Sequence, residues 1–498
     1  MPLSRINFLA SALPVLLLAG CALHTPVPSL EPGDVPTTWV GPISDTAVTW
    51  PEQDWWSNFD NAELSSIVAQ VQENNFDLEN NERTLRNAQI TLREAGFNLL
   101  PTPSLTLGTS ARYSDVDGSS FSGIDDGFGG GFGDGGTGGS VGNGGNGSTG
   151  GLRGTGNNNE PFELGLSLSY NNILSRPATY QRAVADYESS VAQYASTNLN
   201  ILGTAASTYF QLLFTRDQIE VAQQNVENAE VIAQIISAQV DAGVTVPINL
   251  LNQQITIETQ LANLRNLIQR DLAARSALAL LTGQSVQQFE VSGATLQDIV
   301  VPTVQPGLPS ELLRRRPDLV QAEASLRAAT SNVDLAYLNL FPQISLTGSA
   351  SAASTSLSAL VSSPDTFVSA SASVVQTLLD NGQRLRNLEQ QRLNLENALN
   401  NYRKAVIGAF NDIEVQLDNL ASLRDQVDVA QRNLDAAEEA FRLAEVRYQE
   451  GVADFQTVLN SQDSLFQTRN AYLNTKLTQL NAVVDFYQAL GGGWQADS

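Results

Sequence analysis

This chain of 498 residues has one cysteine, one histidine, and about half as many basic as acidic side chains. With Cys21 as the only cysteine, no disulfide can form within the chain. His24 is the only imidazole, so a His/Cys metal cluster and a histidine base in a folded core are both excluded. Composition leaves acid pairs open, but no motif gathers an acid, a base and a nucleophile, so no enzyme chemistry is expected. Lys+Arg 27 against Asp+Glu 52 gives a net charge of −25, and cleavage before Cys21 would remove Arg5 and no acid, taking it to −26. Such a chain lacks the basic patches that nucleic acid and anionic membrane surfaces require. It permits an acidic lumen that draws cations. After Cys21 no apolar run approaches the ~20 residues of a membrane helix.

The single cysteine ends the stretch "LLLAGC". A lone cysteine is usually a small buried hydrophobe. Here Arg5 supplies a positive start, Phe8 to Leu18 is apolar over roughly the length of a signal-peptide core, and the small residues Ala19 and Gly20 follow. Leu18-Ala19-Gly20-Cys21 resembles the bacterial lipobox, in which the signal is cut before the cysteine and the new terminus carries acyl chains, palmitate among them. Two or more chains anchor stably where one does not. The residue after the cysteine is Ala22 and not Asp, which in that sorting pattern favours the outer membrane.

The chain is also written twice. "DLENNERTLRNAQITLREAGFNLLPTPSLT" from Asp77 and "DLVQAEASLRAATSNVDLAYLNLFPQISLT" from Asp318 match at 13 of 30 positions. "DAGVTVPINLLNQQ" from Asp241 echoes "EGVADFQTVLNSQ" from Glu450, and "LLTGQ" ending at Gln284 echoes "ALGGGW" ending at Trp494. Each half reads the same way. A helix over about 62–99 or 318–340 ends at a proline. Two extended segments of period two follow: Leu105, Leu107, Thr109, Ala111 and Phe162 to Tyr170 in the first half, Ile344 to Ala350 and 366–375 in the second. Their length suits membrane strands. A very long helix comes next, 176–241 or 382–449, free of internal proline beyond Pro177; each could reach ~100 Å. A turn at Gly243 or Gly451 leads to a returning helix.

Leu385, Leu388, Leu393, Leu395 and Leu399, then Leu434, Ala437, Phe441 and Ala444, recur at heptad-like spacing. An antiparallel coiled-coil rod accounts for that spacing alone. The strands add a constraint. Four cannot close a barrel, and an open sheet edge is not viable in lipid. If they are membrane-embedded, several chains share one barrel, and cyclic symmetry wraps the helices about its axis. Gly118 to Asn159 is glycine-rich and cannot bury enough to order itself. A phosphate loop would need a following helix and usually a lysine; this stretch has neither. It reads as a long loop at a barrel mouth.

"ELLRRRPDLVQAEASLRAA" (Glu311 to Ala329), "LNLFPQISLTGSA", "DWWSNFDNAELSSIV", "RYQEGVADFQTVLNSQDSL" and "YQALGGGW" together resemble the outer membrane factor (TolC-like) family, in its lipoprotein branch paired with RND-type pumps. The resemblance covers nearly the whole mature chain. It implies a mainly α fold with a small transmembrane β part: long antiparallel coiled-coil helices forming a trimeric α-barrel, joined to a shared 12-stranded β-barrel with four strands per chain. It implies passive export, with a periplasmic adaptor and an inner-membrane RND-type transporter as partners, outer membrane lipid around it, and no cofactor or metal beyond covalent lipid on Cys21. The segments become a signal peptide 1–20, a lipid-anchored extended segment and belt 21–61, a first repeat 62–284, a linker 285–317, a second repeat 318–490 and a tail 491–498. The other expectation is a lipid-anchored periplasmic scaffold or adhesin without a pore, which needs no membrane strands.

The resemblance also assigns candidate sites. Gly243, Val244, Gly451, Val452, Ala453 and Phe455 are expected at the adaptor-docking tips, or simply to pack the turns. For the periplasmic gate, Tyr448 matches the family's aromatic position, and Asn460 stands where close relatives have a constricting aspartate. Asp454, Asp463 and Asp241 lie near enough to supply the charge; each is equally readable as an ordinary surface acid. Arg314, Arg315 and Arg316 before Pro317 read as structural, cations at a helix end ahead of a proline that starts the next.

Overall fold

Glycine and proline set the ends of the longest elements. The structure, a computed structural model, describes residues 25–29, 35–36, 38–41, 50–108, 162–292, 295–303, 306–354, 356–362 and 364–495. Cys21, the leader, the glycine-rich stretch, Thr109 and Ala111 lie outside them. Helices run α1 Ala62–Asn74, α2 Phe76–Phe97, α3 Arg176–Asp241, α4 Pro247–Leu281, α5 Leu312–Arg315, α6 Pro317–Leu338, α7 Leu357–Ser362, α8 Gln383–Gln449 and α9 Phe455–Ala489. Strands are β1 Thr102–Gly108, β2 Phe162–Tyr170, β3 Gln343–Ser354 and β4 Asp365–Val375. Helices α3 and α8 have 66 and 67 residues, with ends within a residue of those expected. The returning helices α4 and α9 have 35 each. Among the described residues no helix is long and apolar enough to cross a membrane.

The single helix expected over 62–99 is two. Asn75 breaks it with extended backbone at φ −72 and ψ 124. Its Oδ1 accepts the N–H groups of Asp77 and Leu78 at 2.9 and 3.0 Å, and its Nδ2 donates to the Leu281 carbonyl at 2.9 Å. An asparagine that can satisfy backbone donors locally favours a cap over a helix interior.

The chain divides into two compact units, one of helices and one of strands. The helical unit has one core around Trp55, Phe59, Phe210 and Tyr487, with Trp55 stacked on Tyr487 at 5.1 Å. A second core gathers Trp39, Leu312, Leu319, Phe410, Ile413 and Phe486. Trp39 Nε1 donates to the Gly307 carbonyl at 2.8 Å, and Glu414 accepts the N–H groups of Val40 and Gly41 at 2.7 and 2.8 Å, so the N-terminal segment is tied across distant parts of the unit. Thr25 N–H adds a bond to Asp334 at 3.0 Å.

Arg315 and Arg316 make structural contacts, as the sequence suggested, and Arg314 is exposed. Arg315 lies 4.5 Å over the Trp50 ring. Arg316 makes a two-pronged pair with Asp318 at 3.0 and 2.7 Å and approaches Asp412 at 3.6 Å. Pro317 occupies the first turn of α6. The single chain covers only part of the heptad-like stripe. Leu388, Leu434 and Ala444 are buried and Leu395 and Leu399 half-buried, but Leu385 and Leu393 are 62% and 55% exposed in the single chain. Leu393 falls five residues after Leu388, well off the stripe that recurs at three and four.

Between the repeats a 3-10 turn, Leu296–Asp298, is pinned by Leu296, which is fully buried, and by Asp217 of α3, whose carboxylate accepts the Leu296 N–H at 3.0 Å. Burial pushes the Asp217 carboxyl up to about 6, the nearby Glu220 and Asp298 adding to it against the Leu296 bond. The fold therefore holds that proton more tightly than the unfolded chain. Stability rises as pH falls from about 6 towards 4, and at pH 7 the charge is a handicap. From an ordinary 3.8 to about 6, the ceiling is about 3 kcal/mol. Asp217→Asn keeps the acceptor and removes the charge. It should stabilise the protein by ~1–2 kcal/mol at pH 7 and flatten the gain between pH 7 and 5, as read from thermal unfolding in detergent at both pH values.

Candidate functional site

The strand unit is one antiparallel sheet in the order β1-β2-β3-β4. Its register sorts the side chains by face, because directly opposed residues share one side. Leu105 opposes Leu166, Leu166 opposes Ala350, and Ala350 opposes Val368. Pro103, Leu107, Leu164, Leu168, Ile344, Leu346, Ala372 and Val374 lie on the same side. The other side is mostly hydroxyl, with Ser104, Thr106, Ser167, Ser169, Thr347, Ser349, Ser369 and Ser371 and, towards the ends of β4, Phe367 and Val375; its hydroxyl pairs are Ser104–Ser167 at 2.6 Å and Ser349–Ser369 at 2.7 Å. Among the described residues much of the apolar side is open: Leu105 and Leu107 are 71% and 70% exposed and Val368 84%. A two-faced sheet with apolar and hydroxyl sides alternating is the pattern of a wall between lipid and water. Alternation shows the two faces of each strand, and the cross-strand register brings the apolar faces of all four onto one side.

The second feature is the pair of helical turns. Gly243 and Gly451 sit at φ +72 and +74, with open space where a Cβ would go. The Val244 N–H reaches back to the Gln239 carbonyl and the Val452 N–H to the Arg447 carbonyl, both at 2.8 Å. These are 6→1 closures, which need a left-handed residue just before them. Each turn then starts its next helix differently. The first uses Pro247 in the opening turn with no side-chain cap. The second uses Asp454, which accepts the Thr457 N–H at 2.9 Å and its hydroxyl; those two bonds hold the Asp454 carboxyl below the usual carboxylate range.

Behind the turns, Ile232, Ile236 and Val458 form a small core, flanked by Val240, Leu250, Phe441, Tyr448 and Phe455. The two hairpins meet there. Tyr448 donates to Gln239 Oε1 at 2.9 Å and its ring lies 6.0 Å from Phe455. The structure thus sorts the candidate tip residues. Val244 and Val452 are 74% and 65% exposed, while Ala453 and Phe455 are half-buried, Phe455 with its ring against Tyr448. Asp241 and Asp463 are exposed, and Asn460 is bonded to Gln456 at 3.0 Å. Gln239, the partner of Tyr448, went unnoticed in the sequence. The repeat offset places Gln239 opposite Arg447 and Val240 opposite Tyr448, so a tyrosine in one half against a valine in the other was the signal available. Among the described residues no group of His, Cys, Asp and Glu side chains could hold a metal ion.

A chain that devotes its strands to a two-faced wall and its length to hairpin helices with small turns has the makings of a channel subunit. The family model for outer membrane efflux protein matches residues 67–284 and 308–492, and the chain belongs to that family. It is 30% identical over 491 residues to the pyoverdine export outer membrane protein OpmQ of Pseudomonas aeruginosa, covering 98% of this chain and 97% of OpmQ. Over 304 residues it is 29% identical to the cation efflux system protein CusC of Escherichia coli, covering 60% and 65% of the two chains. Among solved structures, the open state of the MtrE outer membrane channel of Neisseria gonorrhoeae shares the fold, with a TM-score of 0.78 at 23% identity over 94% of this chain and 98% of MtrE. The protein is an exit duct of efflux in the outer membrane.

Proposed function

We propose that three copies of this chain close one twelve-stranded barrel, that their hairpins surround the same axis, and that the assembly is the passive outer-membrane exit of a tripartite system. A periplasmic adaptor and an inner-membrane RND-type pump feed it, acyl chains on Cys21 anchor it, and the chain performs no chemistry of its own. One observation carries this: a two-faced sheet in which, among the described residues, β1 and β4 each have a single neighbour. Two open edges facing lipid would leave a row of unpaired N–H and C=O groups, each costing several kcal/mol. Another chain's strands remove that cost. Light scattering of the full-length protein in mild detergent, after membrane fractionation, tests it. A trimer from the outer membrane supports the duct. A monomer released by removing the acyl chains would replace it with a lipid-anchored scaffold. The match to the pyoverdine export protein OpmQ runs over nearly the full length of both chains, so pyoverdine is the first cargo to assay.

The turns are the adaptor-facing end in this reading, with Gly243, Val244, Gly451 and Val452 as the docking surface and Ala453 at its margin. Val244→Asp with Val452→Asp should abolish adaptor crosslinking and export while leaving the amount of folded protein unchanged. Unaltered crosslinking would confine these valines to packing. Tyr448 joins the two hairpins through Gln239, and the exposed Asp241, Asp463 and Asn460 flank that junction. Tyr448→Phe removes one hydrogen bond per chain and keeps the ring on Phe455. Uptake of a large antibiotic should rise several-fold; an unchanged rate would remove Tyr448 from the gate.

A further inference from the structure

We infer that Phe367 is a cargo contact on the inner wall of the barrel, one ring per copy, on which a positively charged aromatic solute stacks as it leaves. The inference rests on the shared barrel proposed above and names a residue that selects among the solutes passing through it.

Phe367 is an exception to the sorting of the sheet. Membrane barrels gather their aromatic side chains in girdles on the lipid side. Here Phe367 opposes Ser351, Ser351 opposes Gly165, and Gly165 opposes Thr106, so the whole row belongs to the hydroxyl side. Among the described residues Phe367 is the only aromatic on that side; Phe162 and Tyr170 fall on the apolar one, opposite Ser354 and Leu346. The next residue, Val368, already serves the apolar side. An aromatic ring stabilises a fold by burying its area, and Phe367 is 62% exposed. Packing within the chain therefore does not account for a phenyl ring on a wall of serines.

The ring borders a shallow recess. Gly165 has no side chain, and a Cβ there would come 2.7 Å from Thr106 Oγ1. Between Phe367 on β4 and Thr106 on β1 the wall is low over ~14 Å, three strand spacings, with only Ser351 and Gly165 as its floor. One edge is the row Ser369, Ser349, Ser167 and Ser104, all hydroxyls. The other edge is the row Asp365, Ala353 and Glu163, with both carboxylates exposed. Asp365 is two residues from Phe367 on the same face, ~7 Å along the strand. An aromatic face, a floor without bulk and a negative edge suit a planar ring that carries positive charge. The ring stacks on Phe367, and its charge is drawn both to the phenyl face and to Asp365. An aromatic anion would meet the same carboxylates and be repelled.

These rows lie at the end of the sheet from which the β1–β2 and β3–β4 connections leave, the outer mouth of a barrel whose longer loops are outside. Twelve strands ~4.8 Å apart and tilted by about 40° set the backbone at a radius of about 12 Å. Three phenyl rings, evenly spaced by symmetry, project into that circle further than any serine beside them. A cargo that fills the tube passes against at least one. A single open stack is a weak contact, which suits an exit, where a solute must leave as readily as it arrives.

Ser351→Cys places a thiol beside the ring. Cys21 is the only native cysteine and the expected acylation site, so no other free thiol competes. Outer membrane vesicles carrying the full-length trimer are treated with a water-soluble maleimide, alone, with ethidium, or with tetramethylammonium, a cation without a ring. Ethidium should slow the modification by roughly threefold or more, and tetramethylammonium should not. The slowing should vanish with Phe367→Leu, which keeps an apolar side chain, and persist with Phe367→Tyr, which keeps the ring. Slowing that survives Phe367→Leu, or equal slowing by both cations, would assign the effect to the carboxylates and overturn the aromatic contact while leaving the barrel standing. No slowing by ethidium, or a thiol at 351 that stays unreactive in a trimer, would overturn it too. A reactive thiol in Val368→Cys with an unreactive one at 351 would reverse the two faces of the wall, and a monomeric mass would remove the barrel itself.

Discussion

Leu166→Arg should remove the protein from the outer membrane, whereas Ser351→Arg, on the next strand but the opposite face, should leave it there. Leu166 lies midway along β2, between Leu105 and Ala350 on the apolar side. An arginine facing lipid near the bilayer midplane of a barrel costs ~2–4 kcal/mol, and three copies would bear it together, about 6–12 kcal/mol per assembly. That is comparable to the whole folding stability of an ordinary domain. Ser351 lies on the hydroxyl side between Gly165 and Phe367. An arginine there faces away from the apolar side, and should alter ion selectivity without altering insertion. The measurement is the yield of folded trimer in outer membranes for each variant. Equal yields would mean that the apolar side does not face lipid. If the arginine at 351 is the one that blocks insertion, the two faces are reversed.

How much of this was readable beforehand depended on range in sequence. Gly243 and Gly451 were legible because a left-handed turn is a local demand that one residue meets. The ends of α3 and α8 were legible because period and proline spacing are local too. Asn75 was not: its preference for capping is local, but its side chain is also held by Leu281, about two hundred residues away. The packing of Phe455 was hidden for the same reason. Next to an exposed valine turn it reads as surface, and only the packing of one hairpin on the other turns it inward. Asp454 looked like a possible gate charge because a carboxylate near a turn has two readings, and its use as a helix cap appears only once Thr457 is placed. Which strand face is apolar was written in the alternation, yet the agreement of all four strands needed the register.

Gly491→Ala should cost roughly 4 kcal/mol, and Gly451→Ala only about 1 kcal/mol, although both glycines end a long helix in the same way. The two share the left-handed conformation, at φ +89 and +74. A Cβ in that region costs ~1–2 kcal/mol in its own right. Surroundings separate them. At Gly451 an added Cβ would meet nothing within 4 Å, while at Gly491 it would fall 2.0 Å from the Arg315 carbonyl oxygen, which is backbone and cannot swing aside. The first repeat shows the same division. Gly243 is open, whereas a Cβ on Gly283 would lie 2.5 Å from the Asn74 carbonyl oxygen. Thermal unfolding in detergent should give a much lower midpoint for Gly491→Ala than for Gly451→Ala, and equal midpoints would mean that the C-terminal glycines are not seated against the arginine run. The division has a mechanical meaning. At 283 and 491 the hairpins end in turns whose glycines sit against backbone, and at 243 and 451 they close in turns whose glycines face open space, with a small core of their own around Ile236 and Val458, separate from those around Trp55 and Trp39.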